Sequence, residues 1–145
     1  MSLLRRSSAN GQISVLLRTF HQAAAKGNLK VYLRCLSADA MFIGTDPTEH
    51  WSRQQFEIIC ERIFREKGGW IYEPFDRKIS FADDLSTAWF TERLRHAGYG
   101  ELLGYGVATK VDGRWKIRLY SMSLPIPNNI FDGVVAQIRE LPTAQ

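Results

Sequence analysis

The feature that most constrains this 145-residue chain is a change of hydrophobic period at Trp70. Before it, apolar residues recur at helical spacing, as in Ile13, Leu16, Leu17, Phe20 and Ala24. From Trp70 to Leu124 the period becomes two. Turn-forming clusters at Asp83 to Ser86, at Ala97 and Gly98, and at Asp112 and Gly113 divide that stretch into four long strands joined as antiparallel hairpins. Helices followed by one meander define an α+β class, with a sheet that offers one face to the helices.

Local punctuation fits that plan. Gly27 stops the first helix, and Asn28 caps a short second one carrying Leu29, Tyr32, Leu33 and Leu36. A brief strand, Met41 to Ile43, leads into the polar bend Gly44, Thr45, Asp46, Pro47, Thr48, Glu49. Ser52 with Gln55 three residues later forms a capping box for a helix burying Phe56, Ile59, Ile63 and Phe64, which Gly68 and Gly69 end. Pro125 and Pro127 close the last strand, and Ile130, Phe131, Val134, Val135, Ile138 and Leu141 return to helical spacing. No repeat, low-complexity tract or linker interrupts residues 1–145, so a single domain is expected.

With 45% apolar and 12% aromatic residues, the chain can build a core without a disulfide or a metal. Cys35 and Cys60 fall in separate helical segments with no paired Cys or His spacing, which predicts buried free thiols. The net charge of +4 comes from scattered Lys and Arg, a pattern unlike a nucleic-acid interface. No stretch approaches the roughly 20 apolar residues of a membrane span, and Met1 to Asn10 lacks a signal-peptide pattern, so a cytoplasmic protein is expected. No cofactor or metal motif is present.

One acid breaks the apolar alternation. Glu92 lies inside Ala88, Trp89, Phe90, Thr91, Glu92, Arg93, Leu94, where a carboxylate sits on or near a core face and needs a partner or a use. Centring the first hairpin on Asp84 and Leu85 sets Arg77 opposite it. The pair reads either as an ion pair closing the end of the core or as a ligand-facing pair whose guanidinium offers a fork of donors.

Centring the last turn on Asp112 and Gly113 pairs Gly106 with Leu119, Ala108 with Ile117, Val107 with Arg118 and Thr109 with Lys116. The small residues from Gly104 to Ala108 either leave a hollow for a ligand or permit close helix packing. The middle turn decides the facing of Glu92. A two-residue loop at Ala97 and Gly98 puts it opposite Leu103, and one more loop residue puts it opposite Gly104. The longer loop gathers Ala88, Phe90 and Glu92 with Gly104, Gly106 and Ala108. It leaves Trp89, Tyr105, Val107, Tyr120 and Met122 on the opposite face among Arg93, Arg95 and Arg118, as an interface would be.

From about Leu16 to Asn128 the chain resembles the nuclear transport factor two-like superfamily and, within it, the SnoaL-like domains. The resemblance rests on Gly44, Thr45, Asp46, Glu49 and Trp51; Arg77; Ala88, Trp89, Phe90 and Glu92; Gly104, Gly106 and Val107; and Trp115 through Tyr120 to Pro125, Pro127 and Asn128. It implies a cone-shaped α+β barrel in which a bent, mostly antiparallel sheet wraps a long N-terminal helix, with a cavity at the open end. It also implies a homodimer through the outer sheet face. Members include isomerases, dehydratases, cyclases, epoxide hydrolases and non-catalytic binding modules.

Catalytic patterns of the superfamily do not carry over. The isomerase base position falls on Gly44, Trp115 to Leu124 holds no carboxylate, and His21, His50 and His96 show no pairing. Leu103 stands where many SnoaL-like relatives have Arg. The expectation is therefore a dimeric binder of a small hydrophobic or mixed-polarity molecule, with Phe20, Asp46, Trp51, Phe56, Arg77, Phe90, Glu92 and Gly104 around the ligand. Its polar patch would be Asp46, Arg77 and Glu92. The alternatives are turnover by a pocket carboxylate and an interaction module using the sheet face.

Overall fold

A computed structural model describes residues 3–143. Helices α1 (Leu3–Ala25), α2 (Leu29–Arg34) and α3 (Arg53–Lys67) surround two early strands, β1 (Leu36–Ile43) and β2 (His50–Ser52). The meander follows as β3 (Glu73–Phe81), β4 (Thr87–His96), β5 (Gly100–Val111) and β6 (Arg114–Ser123), and helix α4 (Phe131–Glu140) comes last. The six strands form one sheet in the order β2-β1-β6-β5-β4-β3. Only the β1/β6 pair is parallel, so the sheet is mixed, and with β2 and β3 as its edges it does not close.

Sequence signals set the element ends. Asn28 Oδ1 accepts from the Val31 amide at the start of α2. The Ser52/Gln55 capping box opens α3, and Gly68 ends it in the left-handed conformation that glycine adopts without a Cβ clash. The first strand is longer than expected. In its leading part burial comes in pairs, Leu36 and Ser37 buried and Ala38 and Asp39 exposed, where the register against β6 shifts between Leu36 and Met41.

The buried face of α1 presents Ala9, Ile13, Leu17, Phe20, His21, Ala23 and Ala24 to the inward side chains of β4, β5 and β6. Phe20 stacks on Tyr32 of α2, with ring centroids 4.3 Å apart, and leans on Tyr120 of β6 at 5.1 Å. Cys35 and Cys60 are buried and free, and burial pushes their thiols up to about 11 and about 12.

Two β-bulges aim side chains inward. Opposite Glu92, strand β3 places both Asp76 and Arg77, with Asp76 at φ 49°. On β6 the register steps between Val107/Leu119 and Ala108/Ile117, leaving Arg118 as the extra residue. The pairs Ala108/Ile117 and Thr109/Lys116 are as expected, but Gly106 faces Tyr120, not Leu119. The expected outward placement of Tyr120 and Met122 is thereby corrected: the bulge inverts the alternation, and both are buried. The middle turn takes the longer loop, and Glu92 faces Gly104.

No helix among the described residues is long and apolar enough to cross a membrane.

Candidate functional site

Two polar centres lie in or beside the core, one sealed and one open. The sealed centre surrounds Glu92, whose side chain is 0% exposed. Its Oε2 accepts from Arg77 Nε at 2.9 Å, and its Oε1 accepts from the Tyr120 hydroxyl at 2.8 Å and contacts His21 Nε2. A carboxylate has no proton to offer, so His21 Nε2 and the Tyr120 hydroxyl must both be donors. Arg77 is itself tied to α1 through the Ser14 carbonyl.

Burial alone would raise the Glu92 carboxyl, but the His21 hydrogen bond and charge together with Arg77 outweigh it and hold it below its usual range. Burial, reinforced by the Glu92 charge, pushes the Tyr120 phenol well above its own. The result is an ionised acid held by three donors of its own chain. Gly104 belongs to this arrangement, because a Cβ there would stand 2.3 Å from the Tyr120 hydroxyl oxygen. Phe20 and Phe90 pack against the Tyr120 ring.

The open centre is a cavity of about 170 Å³ between the end of β1, α3 and the segment entering β3. Its aromatic walls are Phe42, Trp51, Phe56, Trp70 and Tyr72, filled out by Ile59, Ile63 and Met122. The Phe42, Trp51 and Phe56 rings lie within 25° of parallel. Gly44, Thr45 and Glu49 supply the remaining, more polar edge. Glu49 Oε1 accepts from the Asp46 amide at 3.0 Å. Gly44 leaves room for the same side chain, since a Cβ at that position would meet Glu49 Oε2 at 2.4 Å. Burial raises the Tyr72 phenol, with Tyr99 and Glu49 adding to the shift, so it stands as a neutral donor at the cavity wall.

The expected site residues are therefore divided. Trp51 and Phe56 line the cavity, whereas Arg77, Glu92, Gly104, Phe20 and Phe90 belong to the sealed core centre. The expected patch of Asp46, Arg77 and Glu92 does not assemble. Asp46 sits in an exposed turn where its Oδ1 accepts from the amide and hydroxyl of Thr48, and those bonds lower its carboxyl. The sequence reading does not single out His21, which α1 delivers onto Glu92 from across the core. Phe42, Glu49, Trp70 and Tyr72 are cavity residues that strand alternation alone does not single out.

The cavity and the sealed centre are neighbours but not continuous. Phe42 lines the cavity and stacks on Tyr120, with ring centroids 5.8 Å apart, while His21, Arg77, Glu92 and Tyr120 are not among the lining residues. Among the described residues, no group of three or more His, Cys, Asp or Glu is placed to hold a metal ion.

With the long helix, the open mixed sheet and the cavity in view, the family can be assigned. The SnoaL-like domain family matches residues 13–127. This chain belongs to the SnoaL-like domain family. A SnoaL-like domain of this length accounts for most of the 145 residues. Among solved structures, it is similar to a domain of unknown function with a cystatin-like fold from Nostoc punctiforme. The two are 18% identical with a TM-score of 0.72, covering 99% of this chain and 90% of that one.

It is also similar to an NTF2-like protein of unknown function from Pseudomonas putida at 12% identity and TM-score 0.71, covering 84% of this chain and 90% of the other. A candidate dehydratase of the NTF2-like family from Streptomyces avermitilis matches at 12% identity and TM-score 0.68, over 81% of this chain and 96% of that one. At these identities the likeness is one of fold. No curated protein matches the sequence.

Proposed function

We propose that this SnoaL-like domain is a small-molecule-binding protein whose site is the aromatic cavity beneath Trp51. The observation that carries the reading is the contrast between an open, aromatic-walled space of about 170 Å³ and a fully enclosed carboxylate next to it that its own chain holds with three donors. An apolar protein cavity of roughly 150 Å³ is enough to take up benzene, so the space suits a ligand, or a ligand head, of one small ring or its equivalent. Turnover by Glu92 suits the geometry less well, because its oxygens face His21, Arg77 and Tyr120 and it is fully buried and does not line the cavity.

Thermal unfolding and tryptophan fluorescence, followed across a panel of single-ring and small branched compounds, test the reading. A ligand at about a hundred times its Kd is expected to stabilise the protein by about 2.7 kcal/mol and to perturb Trp51 or Trp70 emission. Ile63→Trp, which fills the cavity, is expected to abolish the effect. A panel that leaves both signals unchanged would refute the assignment.

The protein is further proposed to act as a homodimer paired through the outer sheet face. Trp89 and Tyr105 remain 50% and 39% exposed there, beside the surface pairs of Arg93 with Glu101 and Arg118 with Asp39. Sedimentation of Trp89→Glu and Tyr105→Glu variants is expected to show monomers; an unchanged sedimentation coefficient would count against that face.

A further inference from the structure

The charge balance of the cavity narrows its ligand class, and the inference rests on the cavity being the binding site. We propose that it takes a small organic cation, an alkylated ammonium with three or four carbon substituents. Five of its lining side chains are aromatic: Phe42, Trp51, Phe56, Trp70 and Tyr72. An aromatic ring face carries partial negative charge and attracts a cation held within about 6 Å; Phe42 and Phe56 stack on each other with centroids 4.0 Å apart, which leaves Trp51, Trp70 and Tyr72 as the rings with a face to offer. Glu49 is the one charged residue among the lining residues, and no Lys, Arg or His stands among them.

That carboxylate is also incompletely used. One oxygen accepts from the Asp46 backbone, but among the described residues Glu49 forms no ion pair and its Oε2 accepts no hydrogen bond. An anionic ligand would meet Glu49 with no counter-charge, and a neutral one would leave it unpaired beside an apolar guest. A primary ammonium is compact and strongly hydrated, so stripping its water against Ile59, Ile63 and Met122 is costly. Alkyl substituents spread the charge over carbon and match those apolar walls, and an alkylated ammonium head falls within the benzene-sized capacity of the cavity. Gly44 completes the case, because its missing side chain is what lets the Glu49 carboxylate lie at the cavity edge.

Calorimetric titration of the full chain with tetramethylammonium and choline, set against 3,3-dimethyl-1-butanol as the uncharged shape match of choline, tests the proposal. Choline is expected to bind about tenfold or more tighter than the alcohol. Glu49→Gln is expected to erase that preference while its melting temperature stays within about 2 °C of the parent. Trp51→Leu is expected to weaken both compounds. Equal affinity for cation and alcohol, or a preference that survives Glu49→Gln, would overturn the cation assignment and leave the cavity reading intact. If neither cation binds while neutral single-ring compounds do, the same conclusion follows; if nothing binds, both readings fall together.

Discussion

Glu92 and Glu49 are two carboxylates in neighbouring compartments with opposite accounts. Glu92 is completely enclosed and answered three times, with a guanidinium, a phenol and an imidazole directed at its two oxygens. Glu49 is half-buried and answered once, by a backbone amide. The sequence makes Glu92 the conspicuous acid, because it interrupts an apolar strand, whereas Glu49 looks like one more polar residue of a bend. Burial and satisfaction reverse that ranking. A charge whose lone pairs are occupied by its own chain holds the fold together, and a charge with spare capacity beside a hollow can serve a guest.

The comparison can be broken most directly at Glu92. Glu92→Leu leaves Arg77 without its counter-ion and is expected to lower the unfolding free energy by about 3 to 5 kcal/mol, read from urea titration. A midpoint close to that of the parent would mean that Glu92 is not the structural member of the pair. Tyr120→Phe removes one hydrogen bond to the ionised acid without opening a cavity, so a loss of about 1.5 to 3 kcal/mol is expected.

Acidity sharpens the same point. The Glu92 carboxyl lies below its ordinary 4.5 in the folded protein, so the unfolded chain binds the proton more readily. Its contribution is therefore complete above the unfolded-state value and disappears as the pH falls through the lower folded-state value. Stability curves of the parent and Glu92→Gln should converge in acid and separate toward neutrality, and parallel curves would contradict the assignment. The smallest effect belongs to Glu49→Gln, expected to change stability by no more than about 0.5 kcal/mol, because Gln keeps an acceptor for the Asp46 amide.

Much of this architecture is readable from residue order. The change of period at Trp70, the Ser52/Gln55 capping box and the three turn clusters locate the elements, and the symmetry of the first hairpin puts Arg77 on Glu92. His21 was also within reach, since Ile13, Leu17 and His21 follow one another at four-residue steps on the buried face of α1. What hides it is distance: 71 residues separate it from Glu92, and no local pattern encodes a contact made by packing a helix across a sheet. Tyr120 is concealed differently. Its strand keeps period two on both sides of Arg118, and the adjacent apolar pair Leu119 and Tyr120 is the one trace of the extra residue. The cavity is less legible still, because Phe42, Glu49, and Trp70 with Tyr72 come from three separate segments whose convergence is tertiary.

The extra residue at Arg118 has a consequence for tracing ancestry. With the bulge, a tyrosine at position 120 faces the interior acid; without it, the same tyrosine two places before Met122 would face solvent. The interior partner of Glu92 is thus specified by a bulge as much as by an amino acid. Relatives that share this polar centre are expected to keep the extra residue and to align through position 118 without a gap, and a one-residue gap there would mark chains whose tyrosine faces the other way.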